Sequence, residues 1–137
     1  MQNCLFCKII QKEIPANIVY EDTQIVAITD IDPISEGHTL IIPKKHIQDL
    51  YVMEEEIGSH IMKTAKILAN AIKDEFNFDG IMIMEVNGPF QDVPHFHLHV
   101  FGRNKNNDIE ISYPDNTNNS YQFLSKNAQR IKKRLSN

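Results

Sequence analysis

The sequence predicts an α+β fold: a mainly antiparallel sheet of about five strands, one long helix and a second helix at the C-terminal end. Three observations carry this. Short β-branched runs are joined by turns with few crossovers, apolar residues recur at helical spacing through residues 54–76, and a second amphipathic stretch occupies residues 121–135.

Taken in order, residues 5–11 read as a short helix carrying Phe6, Ile9 and Ile10, and Pro15 ends that stretch. Residues 18–20 and 24–29 read as strands joined by a turn at Glu21, Asp22 and Thr23. Residues 30–37 form a loop rich in Asp, Pro, Ser and Gly, and 39–42 is a β-branched run stopped by Pro43. The long helix, about 54–76, places Ile57, Ile61, Leu68, Ile72 and Phe76 on one stripe. Glu54, Glu55 and Glu56 sit in its first turn, where the helix dipole favours negative charge. His60 reads as a surface or boundary residue without a role. After the Asp79-Gly80 turn, 81–86 is a strand, 87–94 a loop and 96–101 a strand. Residues 104–119 are rich in Asn and Asp and read as irregular. The last helix carries Leu124, Ala128, Ile131 and Leu135 on one face.

A chain of 137 residues is expected to be a single domain, with its core over 4–103 and a C-terminal extension whose helix spans about 120–135. Its 42% hydrophobic and 23% charged residues are ordinary globular usage and exclude wholesale disorder. The net charge of −4 argues against a nucleic-acid partner. Basic residues cluster only at Lys126, Arg130, Lys132, Lys133 and Arg134, read as a solvated helix face. No apolar stretch follows Met1, and no run approaches the length of a membrane span, so a cytoplasmic location without membrane partners is expected. The sequon at Asn118-Asn119-Ser120 is discounted accordingly. Cys4 and Cys7 would then lie in a reducing compartment, where a lasting disulfide is not expected.

The most informative segment is His95-Phe96-His97-Leu98-His99-Val100-Phe101. In a strand, alternate residues share a face, so His95, His97 and His99 point one way and Phe96, Leu98 and Val100 the other. Neighbouring histidines on that face stand about 6.6–6.8 Å apart at Cα, close enough for two to address one phosphate. A polar solvent-facing strand and a plain metal site are the alternatives. Catalysis is preferred, because imidazole offers both protonation states near neutral pH, attacks phosphorus when neutral and stabilises phosphate oxygens when charged.

Together with other segments, this strand resembles the histidine-triad (HIT) family. The resemblance runs from about Cys4 to Arg103 and includes Cys4-Leu5-Phe6-Cys7-Lys8-Ile9-Ile10, Glu13-Ile14-Pro15, Asp30-Ile31-Asp32-Pro33 and residues Gly37 to His46. It looks closest to the Hint-like branch, whose members hydrolyse nucleoside phosphoramidates and related nucleotides. The resemblance implies a HIT-like fold and a hydrolase or transferase acting at the α-phosphate through a nucleotidyl-histidine intermediate. It implies His97 as nucleophile, with His99 contacting the phosphate and assisting the leaving group. Asp30 would bind the ribose hydroxyls, which suits a carboxylate facing a cis-diol. Leu5, Phe6, Ile9, Ile28 and Ile31 would line the base slot, and Asn87 and the Gln91, Asp92, Val93 loop would lie near the phosphate. The resemblance implies a purine-type nucleotide as the small-molecule partner. A homodimer is implied, with the long helix and a central strand meeting the partner. A dinucleoside polyphosphate hydrolase and a nucleotide-binding module with little turnover are the alternatives. So is a metal-binding protein in which all three strand histidines are ligands.

The chain departs from the family in the 87–94 loop, which is about two residues shorter. Phe90 stands where Gly usually precedes Gln91, and Asp92 stands near a position that is often Ser or Thr. An anion there repels a departing phosphate unless it is protonated or turned away.

Cys4-x-x-Cys7 by itself reads as redox-active or as two buried thiols, and a redox role lacks a surrounding βαβ pattern. The resemblance adds a third reading, because some bacterial HIT proteins carry a Cys₂His₂ zinc site at the positions of Cys4, Cys7, His46 and His95. Four protein ligands make such a zinc structural. No catalytic metal is expected, since the free histidines lack a carboxylate at ligand spacing. For His38 a structural hydrogen bond is expected.

Overall fold

The computed structural model describes residues 3–106, 109–115 and 117–136, so three positions of the expected irregular segment, 107, 108 and 116, lie outside it. Residues 1–107 and 108–137 form two compact units.

The first unit holds α1 (Leu5–Ile10), β1 (Ile18–Glu21), β2 (Ile25–Thr29), β3 (Thr39–Pro43), α2 (Glu55–Glu75), β4 (Gly80–Met84) and β5 (Leu98–Arg103). The five strands form one sheet in the order β1-β2-β3-β5-β4, with every neighbouring pair antiparallel. This is the α+β architecture that the sequence predicts. None of the described helices is long and apolar enough to cross a membrane.

The pleat separates two apolar layers. Ile25, Ala27, Ile41, Leu98 and Val100 face α2, where Ile57, Ile61, Ala65, Leu68 and Ile72 complete the larger core. Val26, Ile28, Leu40 and Ile42 face the other way and pack with Phe6 and Ile9 of α1. Both faces of β2 and β3 are covered, which is why these strands read as unbroken apolar runs rather than alternating ones. The helix stripe expected from periodicity is therefore buried within one subunit.

Helix α2 ends at a left-handed Asn77 (φ 55°), with the Phe78 N–H donating to the Lys73 carbonyl at 3.0 Å, a C-terminal cap that Asn tolerates. Phe76, at the same end, lies over Gly37. Gly37 has φ +76°, and a Cβ there would sit 2.2 Å from the Phe76 ring. Gly37→Ala meets both penalties, and we expect a loss of about 1–3 kcal/mol in a denaturant melt.

Two strands differ from expectation. β4 stops at Met84 rather than at residue 86, and β5 begins at Leu98 rather than at 96. The β3–β5 ladder reaches only Ile41↔Leu98. Beyond it Pro43 has no N–H to give, and the Phe96 N–H instead donates to the Ile47 carbonyl at 2.7 Å. His95 and His97 thus precede the strand, while His99 lies in it.

His60 is tied down more firmly than a surface residue. Its Nε2 lies 2.6 Å from Asp22 Oδ2, an oxygen that also accepts from the Tyr20 hydroxyl. Partial burial pushes the Asp22 carboxyl up. The N–H groups of Ile25 and Gln24, with His60 and Tyr20, outweigh that and hold it well below the usual range.

The second unit contains α3 (Tyr121–Leu135), capped by Ser120 accepting from the Phe123 N–H. None of the helix's residues is buried, and Leu124, Ile131 and Leu135 on the expected apolar face are exposed.

Candidate active site and candidate metal centre

The sheet face turned away from α2 carries the site. His99 pairs with Leu40, and Leu40 with Ile28, so His99 shares their face. His97 stays on this side although it precedes the ladder: its ring lies 5.0 Å from that of His99 and 5.0 Å from Phe6. His95 follows on the same side, 5.9 Å from Phe6 and 4.8 Å from His46. The three histidines share a face and divide between two places.

His97 and His99 line a cavity of about 390 Å³ whose walls include Leu5, Phe6, Ile9, Ile28, Asp30, Ile31, Asp92 and Val93. Ile31 is 97% exposed and contributes only to the rim, because the loop after β2 carries it past the sheet edge. Asn87 and Gln91 do not line this cavity. Asn87 Oδ1 accepts from the Leu50 N–H at 2.7 Å, and Gln91 Nε2 donates to the Gln48 carbonyl at 2.7 Å. These two residues brace the 87–94 loop against residues 48–50.

The nucleophilic candidate is oriented by backbone. His97 Nδ1 lies 2.7 Å from the His95 carbonyl, which only accepts, so Nδ1 carries the proton and Nε2 holds the lone pair. Burial, with His97 and His38 nearby, pushes the His99 pKa down to about 4 against the pull of Asp30 and Asp92. His38, expected to make one structural bond, makes more. Its Nδ1 accepts from the Ile34 N–H, and its Nε2 lies 2.9 Å from His99 Nδ1 and 3.5 Å from Asp30 Oδ2. The clue available in the sequence is position: His38 directly precedes β3, the strand that pairs with β5.

A second, smaller cavity of about 230 Å³ shares Asp30, Asp92, His97 and His99 with the first. Its further walls are Asp32, Ile34, His38, Met84, Val86 and Phe90.

Beside the larger cavity, Cys4, Cys7, His46 and His95 bring their ligand atoms within 4.8 Å of one another. Cys4 Sγ lies 3.3 Å and Cys7 Sγ 3.6 Å from His95 Nδ1, and Cys7 Sγ lies 3.3 Å from His46 Nδ1. Zn–S bonds near 2.3 Å and Zn–N bonds near 2.0–2.1 Å give tetrahedral edges of roughly 3.3–3.8 Å, so the donor set fits zinc. His95 is fully buried, and its Nε2 donates to the Pro43 carbonyl at 2.8 Å. That bond places the proton away from Nδ1 and leaves a lone pair for a metal.

Residues 11–106 match the HIT domain family, and the chain belongs to it. Among solved structures it is similar to a HIT family protein from Bacillus anthracis, at 40% identity and TM-score 0.84, covering 98% of this chain and 95% of that one. It is also similar to a Zn-bound histidine triad family protein from Mycobacterium smegmatis, at 33% identity and TM-score 0.76, covering 84% and 85%. Among curated relatives, the adenosine 5′-monophosphoramidase HNT1 of Saccharomyces cerevisiae is 37% identical over 115 residues, 81% of this chain and 70% of that protein.

Proposed function

We propose that the protein is a nucleotide hydrolase that cleaves nucleoside phosphoramidates at the α-phosphate through a nucleotidyl-His97 intermediate. The observation that carries this reading is His97 itself: its Nε2 lone pair is fixed by the His95 carbonyl, in a cavity walled by apolar side chains and Asp30. The nucleoside occupies the larger cavity, with its ribose hydroxyls on Asp30. His97 Nε2 forms a bond to phosphorus as the P–N bond breaks, while His99 hydrogen-bonds the phosphate. Water then adds to phosphorus and releases His97. The departing amine takes a proton from solvent in the first step; in the second, the hydroxyl of the attacking water ends on the nucleoside monophosphate and its proton returns to solvent.

The family membership and the named activity of the yeast relative support a hydrolase. The walls of the smaller cavity favour an amine over a polyphosphate as leaving group. They include three carboxylates, Asp30, Asp32 and Asp92, and no Lys or Arg among the described residues. Adenosine 5′-phosphoramidate should therefore exceed diadenosine tetraphosphate in kcat/KM by about tenfold or more, equivalent to about 1.4 kcal/mol of charge discrimination. Side-by-side turnover measures this, and Asp92→Asn should narrow the ratio. A ratio favouring the tetraphosphate would select the polyphosphate-hydrolase reading. Wild-type protein that binds AMP yet turns over neither substrate would leave a binding module.

Zinc held by Cys4, Cys7, His46 and His95 would be structural, clamping α1 to the segment before β5 and leaving no coordination position for substrate. A reducing, cytoplasmic setting suits such a site, because Cys4 and Cys7 stay available as metal ligands there. We also infer a homodimer, supported by exposed Ile83 and Met84 on edge strand β4 and exposed Met62 and Ile67 on α2.

A further inference from the structure

We infer that the Ile34 backbone N–H, acting through His38, locks His99 as a neutral ring that donates from Nε2, which makes His38 a positioning residue for phosphoryl transfer. The effect on turnover rests on the proposed function. The placement of the protons does not.

The deduction starts at a main-chain group whose polarity is fixed. The Ile34 N–H donates to His38 Nδ1 at 3.0 Å. A nitrogen that accepts holds no proton, and a neutral imidazole carries one, so the proton of His38 is on Nε2. A charged His38 would need a second proton where the amide already points. It is 2% exposed, and burial pushes its pKa down.

His38 Nε2 lies 2.9 Å from His99 Nδ1. The donor is settled, so His99 Nδ1 accepts and its own proton is on Nε2. Protonating His99 at Nδ1 would set two N–H groups against each other at that distance, so the ring stays neutral. The groups facing His99 are His97 ahead of its strand, His38 and Asp30 from the loop before β3, and Asp92 from the 87–94 loop. Both carboxylates favour a charged ring, and the His38 bond opposes them. The same chain argues against reading Asp30, His38 and His99 as a metal site, although their ligand atoms come within 4.8 Å. A nitrogen bearing a proton has no lone pair to give a metal.

The consequence is a pair of opposite tautomers side by side. His97 turns a lone pair toward the phosphate and His99 turns an N–H toward it. If His99 could switch tautomer, its lone pair would meet the phosphate oxygens and repel them.

The test combines ¹⁵N-histidine NMR with two variants. In the wild-type protein between pH 6 and 8, His38 and His99 should both show protonated Nε2 and bare Nδ1. A protonated Nδ1 on either ring overturns the inference, whatever the turnover. His38→Gln keeps an oxygen to accept from Ile34 and an N–H to donate to His99, whereas His38→Leu keeps neither. His38→Leu should show mixed His99 tautomers and a kcat lowered by about 10²-fold, the cost of one misplaced donor, with KM changed far less. His38→Gln should recover most of that loss. Equal losses in the two variants, or an unchanged His99 tautomer in His38→Leu, would also overturn it. If the wild-type enzyme hydrolyses no phosphoramidate, the proposed function fails while the NMR result still decides the proton assignment.

Discussion

His97→Ala should lower phosphoramidate turnover by at least about 10³-fold, and by up to about 10⁶-fold if no water attacks directly. Affinity for AMP should change little. The asymmetry follows from the division of labour in the cavity. Phe6, Ile9, Ile28 and Val93 supply apolar wall and Asp30 supplies a carboxylate, all from elements other than the segment that carries His97. Calorimetric titration of AMP into the variant, beside single-turnover assays, separates the two quantities. Retained hydrolysis would remove His97 as nucleophile. Lost AMP binding with the fold intact would show instead that the ring belongs to the binding surface.

With zinc held by the four donors as proposed, its removal should act first on stability. Cys4→Ala, or chelation of protein grown with zinc, is expected to lower Tm by roughly 10–20 °C. That corresponds to about 2–4 kcal/mol at 4–8 °C per kcal/mol for a small domain. Cys4 is the N-cap of α1 and His95 lies 91 residues later, so a zinc held by both would close a long loop. Elemental analysis should return one zinc per chain for the wild type. Metal-free protein with an unchanged melt would refute the structural role.

The fold was legible because periodicity reports burial directly. The stripe Ile57, Ile61, Leu68, Ile72 is the face α2 buries, and the apolar runs of β2 and β3 reflect strands covered on both sides. Strand ends were less legible. β5 starts at Leu98 because Pro43, on the neighbouring strand, lacks a donor, a cross-strand effect that no local pattern encodes. The alternation of His95, His97 and His99 placed three imidazoles on one side. It did not reveal that His95 belongs with Cys4 and Cys7; that grouping came from resemblance. The pairings of His38 with His99 and of His60 with Asp22 were missed, since each joins residues 61 or 38 positions apart. Asn87 and Gln91 were expected near the phosphate from the resemblance, yet backbone groups of residues 48–50 engage their amides first.

The sheet acts as a partition between two rooms with different tenants. Ala27 and Ile41 furnish one room and Ile28 and Leu40 the other, although they are immediate neighbours in sequence. A change of side chain on one side leaves the furniture opposite undisturbed. Ligand preference can therefore drift by single replacements at Ile28 and Leu40, while Ala27 and Ile41 keep the protein standing.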